Sequence, residues 1–267
     1  MAIKIKELFQ MMLEKEASDL FLRTNASPRA RIDGRVQVIK AEPLSKDEMT
    51  AITNHLLDTD DRKSTFLEVK DVEFIYHEPE VGRFRVNIFT QRGSPAVVAR
   101  HVHSSVDDFE KLNLPAEFLK KFCEESNGLF PVCGPAGSGK STAIASMIEY
   151  INAHEAKHIV TIEDPIEFLF RDKKSIINQR ELGIDVFSCP AALKHVTQQS
   201  PDIIYIGNTR DLDTMRAAIT ATELGTFVIT TFHTVNVVQT IIRMVNFFPP
   251  HLHDEVRMQL SLILKGV

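Results

Sequence analysis

Residues 134–142, Gly134-Pro135-Ala136-Gly137-Ser138-Gly139-Lys140-Ser141-Thr142, match the spacing GxxxxGK[ST] directly after the apolar run Leu129-Phe130-Pro131-Val132-Cys133. Glycines let backbone N–H groups close around phosphate oxygens, Lys140 adds a fixed positive charge, and Ser141 offers a hydroxyl to Mg²⁺. A helix expected from Lys140 to about Ile151 aims its positive end at the same anion. A glycine-rich turn without a ligand is the alternative, and the strand–loop–helix context weighs against it. A chance match in a chain of this length is expected about one time in a hundred. The run therefore reads as a nucleoside triphosphate site in which Gly134 to Thr142 bind the phosphates.

Ligands of open α/β sheets sit beyond the carboxyl ends of the strands, so the residues that follow each apolar run matter next. After His158-Ile159-Val160-Thr161-Ile162 come Glu163, Asp164 and Glu167, with Pro165 preventing a regular helix. After Asp202 to Ile206 come Gly207-Asn208-Thr209-Arg210-Asp211, and after Phe227 to Thr231 come Phe232-His233-Thr234. Beside a metal-bound triphosphate, a carboxylate orients water and a His or Arg senses or neutralises the phosphoryl group. Taken singly, Glu163 and Glu167 also fit a solvated acidic turn, and His233 a satisfied core histidine. Their shared edge favours the site.

These residues need a frame, and hydrophobic periodicity supplies one. From about residue 115, apolar runs at 129–133, 158–162, 202–206 and 226–231 alternate with helical segments, the pattern of a parallel sheet with crossover helices. Before residue 104 the pattern differs. Ile5, Leu8, Phe9, Met12 and Leu13 recur at helical spacing, and Leu20-Phe21-Leu22 is extended. Asp33-Gly34 separates Ala30-Arg31-Ile32 from Val36 to Ile39 as a type I′ hairpin turn. Ser45 with Glu48 forms a capping box opening a helix to about Leu57. Phe84 to Ile88 and Ala96 to Ala99 add strands, giving a smaller α+β module with a largely antiparallel sheet. Arg83 and Arg85 lie at i, i+2 and share the strand face opposite Phe84, Val86 and Ile88, while Arg100 lies on the next strand. The alternative for the three arginines is one polar sheet face in solvent.

Composition fits this division. The chain has 267 residues, 43% hydrophobic and 25% charged, which excludes a disordered chain. Basic and acidic residues number 16 and 16 up to residue 104 and 15 and 20 beyond it, so the balance shifts where the pattern does. The polar stretch Ser104-Ser105-Val106-Asp107-Asp108 reads as the hinge. The expected domains are 1–104, a linker at 105–114, and 115–267. A net charge of -5 disfavours holding nucleic acid by bulk charge. Cys123, Cys133 and Cys189 form no CxxC pair, and indicate a reducing cytoplasm. The N-terminus does not read as a signal peptide and no run is long enough for a transmembrane segment, so any membrane contact is expected to be peripheral.

Chained together, GPAGSGKST (134–142), TIEDPIEF (161–168), NQRE (178–181), PDIIYIGNTRD (201–211) and TFHT (231–234) resemble the successive motifs of the type II and type IV pilus secretion ATPases. The resemblance is strongest to the pilus retraction branch, which is PilT/PilU-like. It extends to Ala17-Ser18-Asp19-Leu20, Arg83 to Asn87 and Asn246-Phe247-Phe248-Pro249. It implies a RecA-like P-loop NTPase domain preceded by a PAS-like α+β domain. It further implies a homo-hexameric ATPase, using ATP and Mg²⁺, on the cytoplasmic face of the inner membrane, where it powers pilus retraction and twitching motility. Implied partners are an inner-membrane pilus platform protein and a paralogous retraction ATPase. Implied roles are Glu167 as the residue that activates water, Glu163 as its neighbour in the acidic box, and His233 as the histidine of a phosphate-sensing box. Arg83, Arg85 and Arg100 become candidate arginine fingers, with Ser141 and Asn208 at the metal.

Three departures stand out. Gly207-Asn208 replaces the Gly-Glu usual in this family's Walker B segment, putting a neutral amide where a carboxylate is expected. Thr197-Gln198-Gln199-Ser200 occupies a position where the family often has arginine. The chain stops at Val267, ahead of the family's helical tail. Asn208 keeps a second function open, a weakly hydrolysing nucleotide-binding subunit that assembles with an active motor. A third is a pilus extension or type II secretion ATPase, whose longer N-terminal regions and cysteine-rich insertion are not seen here.

Overall fold

Ile5, Leu8, Phe9 and Met12, spaced by three and four residues, form the buried stripe of α1 (Ile5–Glu14). The computed structural model describes residues 5–102 and 106–267. The chain divides into two compact units, Met1–His103 and Ser104–Val267. Ser104 and Ser105 of the expected hinge, like the first four residues, lie outside the described ones.

In the first unit, β1 (Asp19–Arg23), β2 (Arg29–Ile32) and β3 (Arg35–Val38) follow α1. Asp33 and Gly34 turn between β2 and β3 with φ of 48° and 75°. Glycine is suited there because positive φ costs it nothing, and this turn matches the strand twist. The helix α2 (Lys46–Leu56) opens with the complete capping box, the Ser45 side chain accepting from the Glu48 N–H and the Glu48 carboxylate accepting from the Ser45 N–H. Then come α3 (Asp60–Val69), β4 (Asp71–Glu78), β5 (Gly82–Gln91) and β6 (Ser94–Val102). All pairs are antiparallel in the order β3-β2-β1-β6-β5-β4. Two of these elements exceed the expected set. Strand β4 buries Val72, Phe74 and Tyr76 by alternation, whereas α3 buries no residue fully and so shows no apolar period. One sheet face packs on α1 and α2, where the Phe9 and Phe84 rings stack with centroids 3.8 Å apart. The other face carries the polar side chains of Asp19, Glu73, Arg85, Asn87 and Arg100.

The second unit is a parallel sheet between two helical layers. Its elements are α4 (Ala116–Cys123), β7 (Gly128–Cys133), α5 (Lys140–His154), β8 (His158–Glu163), β9 (Ile176–Glu181), α6 (Cys189–Val196), β10 (Ile203–Ile206), α7 (Leu212–Glu223), β11 (Phe227–Phe232), α8 (Val237–Asn246) and α9 (His253–Ile263). The strand order is β7-β11-β10-β8-β9, every pair parallel. Burial on both faces explains the unbroken apolar runs: all four residues of β10 and all six of β11 are buried. Ile144, Met147, Ile148 and Ile151 of α5 pack with Ile159, Tyr205 and Ile229 on one face. Met215, Ala218 and Ile219 of α7, with Val256 and Leu260 of α9, pack with Val160, Ile204 and Val228 on the other. The strand beyond the expected set is β9, an edge whose polar residues interrupt any apolar run. Among the described residues, no helix is long and apolar enough to cross a membrane.

Candidate functional site

The phosphate-binding loop joins β7 to α5. Gly139 caps the helix with φ of 88°, a left-handed conformation that a side chain resists. Among the described residues, the amides of Gly137, Gly139, Lys140, Ser141 and Thr142 donate to no protein acceptor. This cluster of free donors at a helix N-terminus fits an anion such as a phosphate. Lys140 Nζ donates to the carbonyls of Gly134 and Pro135 at 2.9 and 2.8 Å, so its charge lies over the loop. Burial lowers the Lys140 pKa, opposed by the negative charge of Glu167.

The acidic segment meets this loop directly. Ser141 Oγ donates to Glu167 Oε1 at 3.2 Å, joining the candidate metal ligand to the candidate water-orienting carboxylate. Glu163, at the end of β8, is only 6% exposed. Its Oε1 accepts from Thr161 Oγ1 at 2.7 Å and from Gln179 Nε2 at 3.2 Å. Burial raises its pKa to about 7, against the lowering effect of those bonds, with the Glu167 charge pushing the same way as burial. Glu167 is exposed. The two carboxylates therefore occupy opposite environments, one buried and easily protonated, the other open to solvent.

Beyond β10, Asn208 lines a hollow of about 230 Å³ with Glu163, Asp164, Arg210 and Asp211. Arg210 pairs with Asp164 at 3.3 Å. Thr231 of β11 donates its hydroxyl to the Gly207 carbonyl, tying the two strand ends together. His233 is exposed just past β11. Partial burial and the charges of Lys140, Arg210 and Arg243 lower its pKa, which favours the neutral imidazole. Residues from β7, β8, β10 and β11 thus converge on one edge, for the reason set out by the strand order.

Arg83, Arg85 and Arg100 lie in the first unit, on the paired strands β5 and β6. Arg85 and Arg100 are in register across the ladder. Arg85 is ion-paired to Glu73, and Arg100 to Asp19 at 2.8 Å. Asp19 also takes Arg31 at 3.1 Å. Burial works against the Asp19 charge, but Ser18, Arg100 and Arg31 outweigh it and lower the pKa. Arg83 is exposed.

Two polar residues near the acidic segment were not among the sequence candidates. Tyr205 is a phenol within the buried β10, its pKa held well above the ordinary value by burial and by Glu163 and Glu167. Its signal was a lone polar group in Ile203-Ile204-Tyr205-Ile206. Gln179 belongs to the 178–181 motif, but its strand had no apolar pattern to place it.

A five-stranded parallel sheet with a glycine-rich loop running into a helix defines a P-loop NTPase fold of the RecA-like type. The family model described as "Type II/IV secretion system protein" matches residues 1–265. The chain is 40% identical over 98% of its length, and 76% of the relative's, to the protein named "Type IV pilus retractation ATPase PilT" of Pseudomonas aeruginosa. It is 36% identical over 99% of its length, and 69% of the relative's, to "Type IV pilus ATPase PilU" of the same organism. A crystal structure of the pilus retraction motor PilT with bound ADP superposes with a TM-score of 0.91 at 41% identity, covering 99% of this chain and 77% of that one. The chain belongs to the type II/IV secretion system protein family, and within it is PilT/PilU-like.

Proposed function

We propose that the chain is an ATP-hydrolysing motor of type IV pilus retraction, working as a homo-hexamer at the cytoplasmic face of the inner membrane against a pilus platform protein. The observation that carries the reading is the 3.2 Å contact between Ser141 of the phosphate loop and Glu167 of the acidic segment. An exposed carboxylate in contact with the phosphate loop supports a role next to the γ-phosphate of a bound nucleotide. ATP with Mg²⁺ supplies the phosphoryl group and the cation that neutralises it. Lys140 and the loop amides bind the phosphates, and the hydroxyl of Ser141 and the side-chain oxygen of Asn208 are hard donors suited to Mg²⁺. Glu167 accepts a hydrogen bond from a water and orients it. Glu163, with its carboxyl easily protonated, limits the negative charge around Glu167. His233 hydrogen-bonds to the phosphoryl oxygens. Arg83, Arg85 and Arg100 act as arginine fingers on a nucleotide held by another domain, which requires Arg85 and Arg100 to leave Glu73 and Asp19.

Asn208 favours a second reading, a slowly hydrolysing subunit that assembles with a paralogous retraction ATPase, because a neutral amide attracts the cation less than a carboxylate does. Steady-state ATP turnover of wild type and Glu167→Gln, with the mass of the assembly measured alongside, tests both. The motor reading expects turnover that Glu167→Gln slows strongly without removing it, in a hexamer. Bound ATP without turnover supports the accessory subunit, and turnover unaffected by Glu167→Gln refutes the assigned role.

A further inference from the structure

Glu167 is exposed, so its carboxylate is placed by its backbone and not by packing around the side chain. That backbone belongs to a segment, residues 164–170, that forms neither helix nor strand of its own, and Pro165 lacks an N–H with which to anchor it. One anchor is local, the Glu167 N–H donating to the Glu163 carboxylate at the end of β8, and further anchors come from β9. Gln179 uses both ends of its amide: Nε2 donates to the Phe168 carbonyl at 2.8 Å and to Glu163 Oε1 at 3.2 Å, and Oε1 accepts the Phe170 N–H at 3.0 Å. Glu181 Oε2 accepts the Ile166 N–H at 3.1 Å. Residues 166, 168 and 170 are thereby fixed on both sides of Glu167.

The ladder explains why these side chains meet the segment. Gln179 stands opposite Thr161, and Glu181 opposite Glu163, in the parallel β8–β9 register. All four therefore project to one face, alternate residues along each strand. That face is also the one α5 covers, since Ile159 and Ile177 pack there with Ile144 and Ile148. At the far end of the same loop, Asn152 of α5 donates to the Arg171 carbonyl at 2.8 Å and accepts the Lys173 N–H at 3.0 Å. The helix that starts in the phosphate loop and the strand that ends beside the acidic segment hold one loop between them.

We propose that Gln179 is a positioning residue for Glu167: its amide sets the backbone on either side of that residue so that the carboxylate reaches Ser141 and the phosphate loop. This rests on the reading of Glu167 as the group that orients water. Gln179 does not reach the phosphate loop itself and acts only through the segment it holds. Replacing it leaves the loop amides, Lys140 and Ser141 intact, so nucleotide affinity is preserved while the reacting geometry is lost.

The test uses Gln179→Met, which keeps the volume and removes the polar contacts, and the isosteric Gln179→Glu, which removes the donor and sets a carboxylate against Glu163. Turnover of ATP, ATP affinity by calorimetry and hydrogen exchange of the Phe170 amide are measured on the full chain. The expected result is a kcat lower by about 10- to 100-fold for both variants, the effect of displacing a reacting group by about 1 Å. KM and affinity stay within about twofold of wild type, and in Gln179→Met the Phe170 amide exchanges faster. Because Gln179 acts through Glu167, adding Gln179→Met to Glu167→Gln changes the residual rate by less than about twofold. If Glu167→Gln alone leaves turnover intact, the reading of Glu167 fails and takes this inference with it. If Glu167→Gln is slow but either Gln179 variant turns over like wild type, that reading stands and the positioning role is wrong. A joint loss of affinity and turnover in Gln179→Glu also overturns it, since that is the mark of a damaged fold.

Discussion

Substituting Glu163→Gln removes a buried acid whose pKa is raised from 4.5 to about 7. Burial penalises its charged form, so folding favours the proton. Below about pH 4.5 the group is protonated whether the chain is folded or not, and it costs nothing. As pH rises towards about 7 the unfolded chain ionises first and the folded state loses stability; above that the loss is complete. The shift of about 2.5 units, at about 1.4 kcal/mol each, sets the full loss at about 3.5 kcal/mol, of which about 3 kcal/mol falls above about pH 4.5. Glutamine cannot ionise, and its side-chain oxygen can still accept from Thr161 and Gln179, which both bond to the same oxygen of Glu163. The Glu167 N–H also donates to the Glu163 carboxylate, and any weakening of that bond enters as an offset that does not change with pH. The quantity to measure is the stability of Glu163→Gln minus that of wild type, from urea unfolding followed by circular dichroism between about pH 4.5 and about pH 8. It should climb by about 3 kcal/mol in favour of the variant, other titrating groups cancelling in the difference. A difference that is flat with pH, or that falls, would show that Glu163 is charged in the folded protein at neutral pH and would refute the reasoning.

Lys140→Ala removes the fixed cation of the phosphate loop and should weaken ATP binding about 10- to 100-fold, the worth of a charge-assisted bond; unchanged calorimetric affinity would contradict the P-loop assignment. Asn208→Glu should raise turnover by about 10- to 100-fold if the amide is what limits charge at the metal, and a wild type that already turns over at several per second with no gain in the variant excludes a weakened motor. Ser45→Ala breaks the capping box of α2 and should cost about 1 kcal/mol in the unfolding of the N-terminal unit, with ATP affinity unaffected.

The sequence by itself determined much of this protein because several of its signals are local. The glycine-rich run between an apolar strand and a helix, Asp33-Gly34 and Ser45 with Glu48 act within a few residues of chain, so their structures follow from their own backbone and side chains. Unbroken apolar runs such as Ile203 to Ile206 likewise announce strands buried on both faces. Tertiary structure alone decided what depends on neighbours distant in sequence. The helix α3 buries no residue fully and β9 is a polar edge, so neither carries a period that could be read. The raised pKa of Glu163 arises from burial beneath a face completed by α5 and β10, and its sequence shows only an acid after a strand. The placement of Glu167 is the clearest case: its residue type was legible, but besides Glu163 its segment is held by Gln179 and Glu181, more than ten residues along the chain, and a parallel register brings them to it only once the sheet has formed.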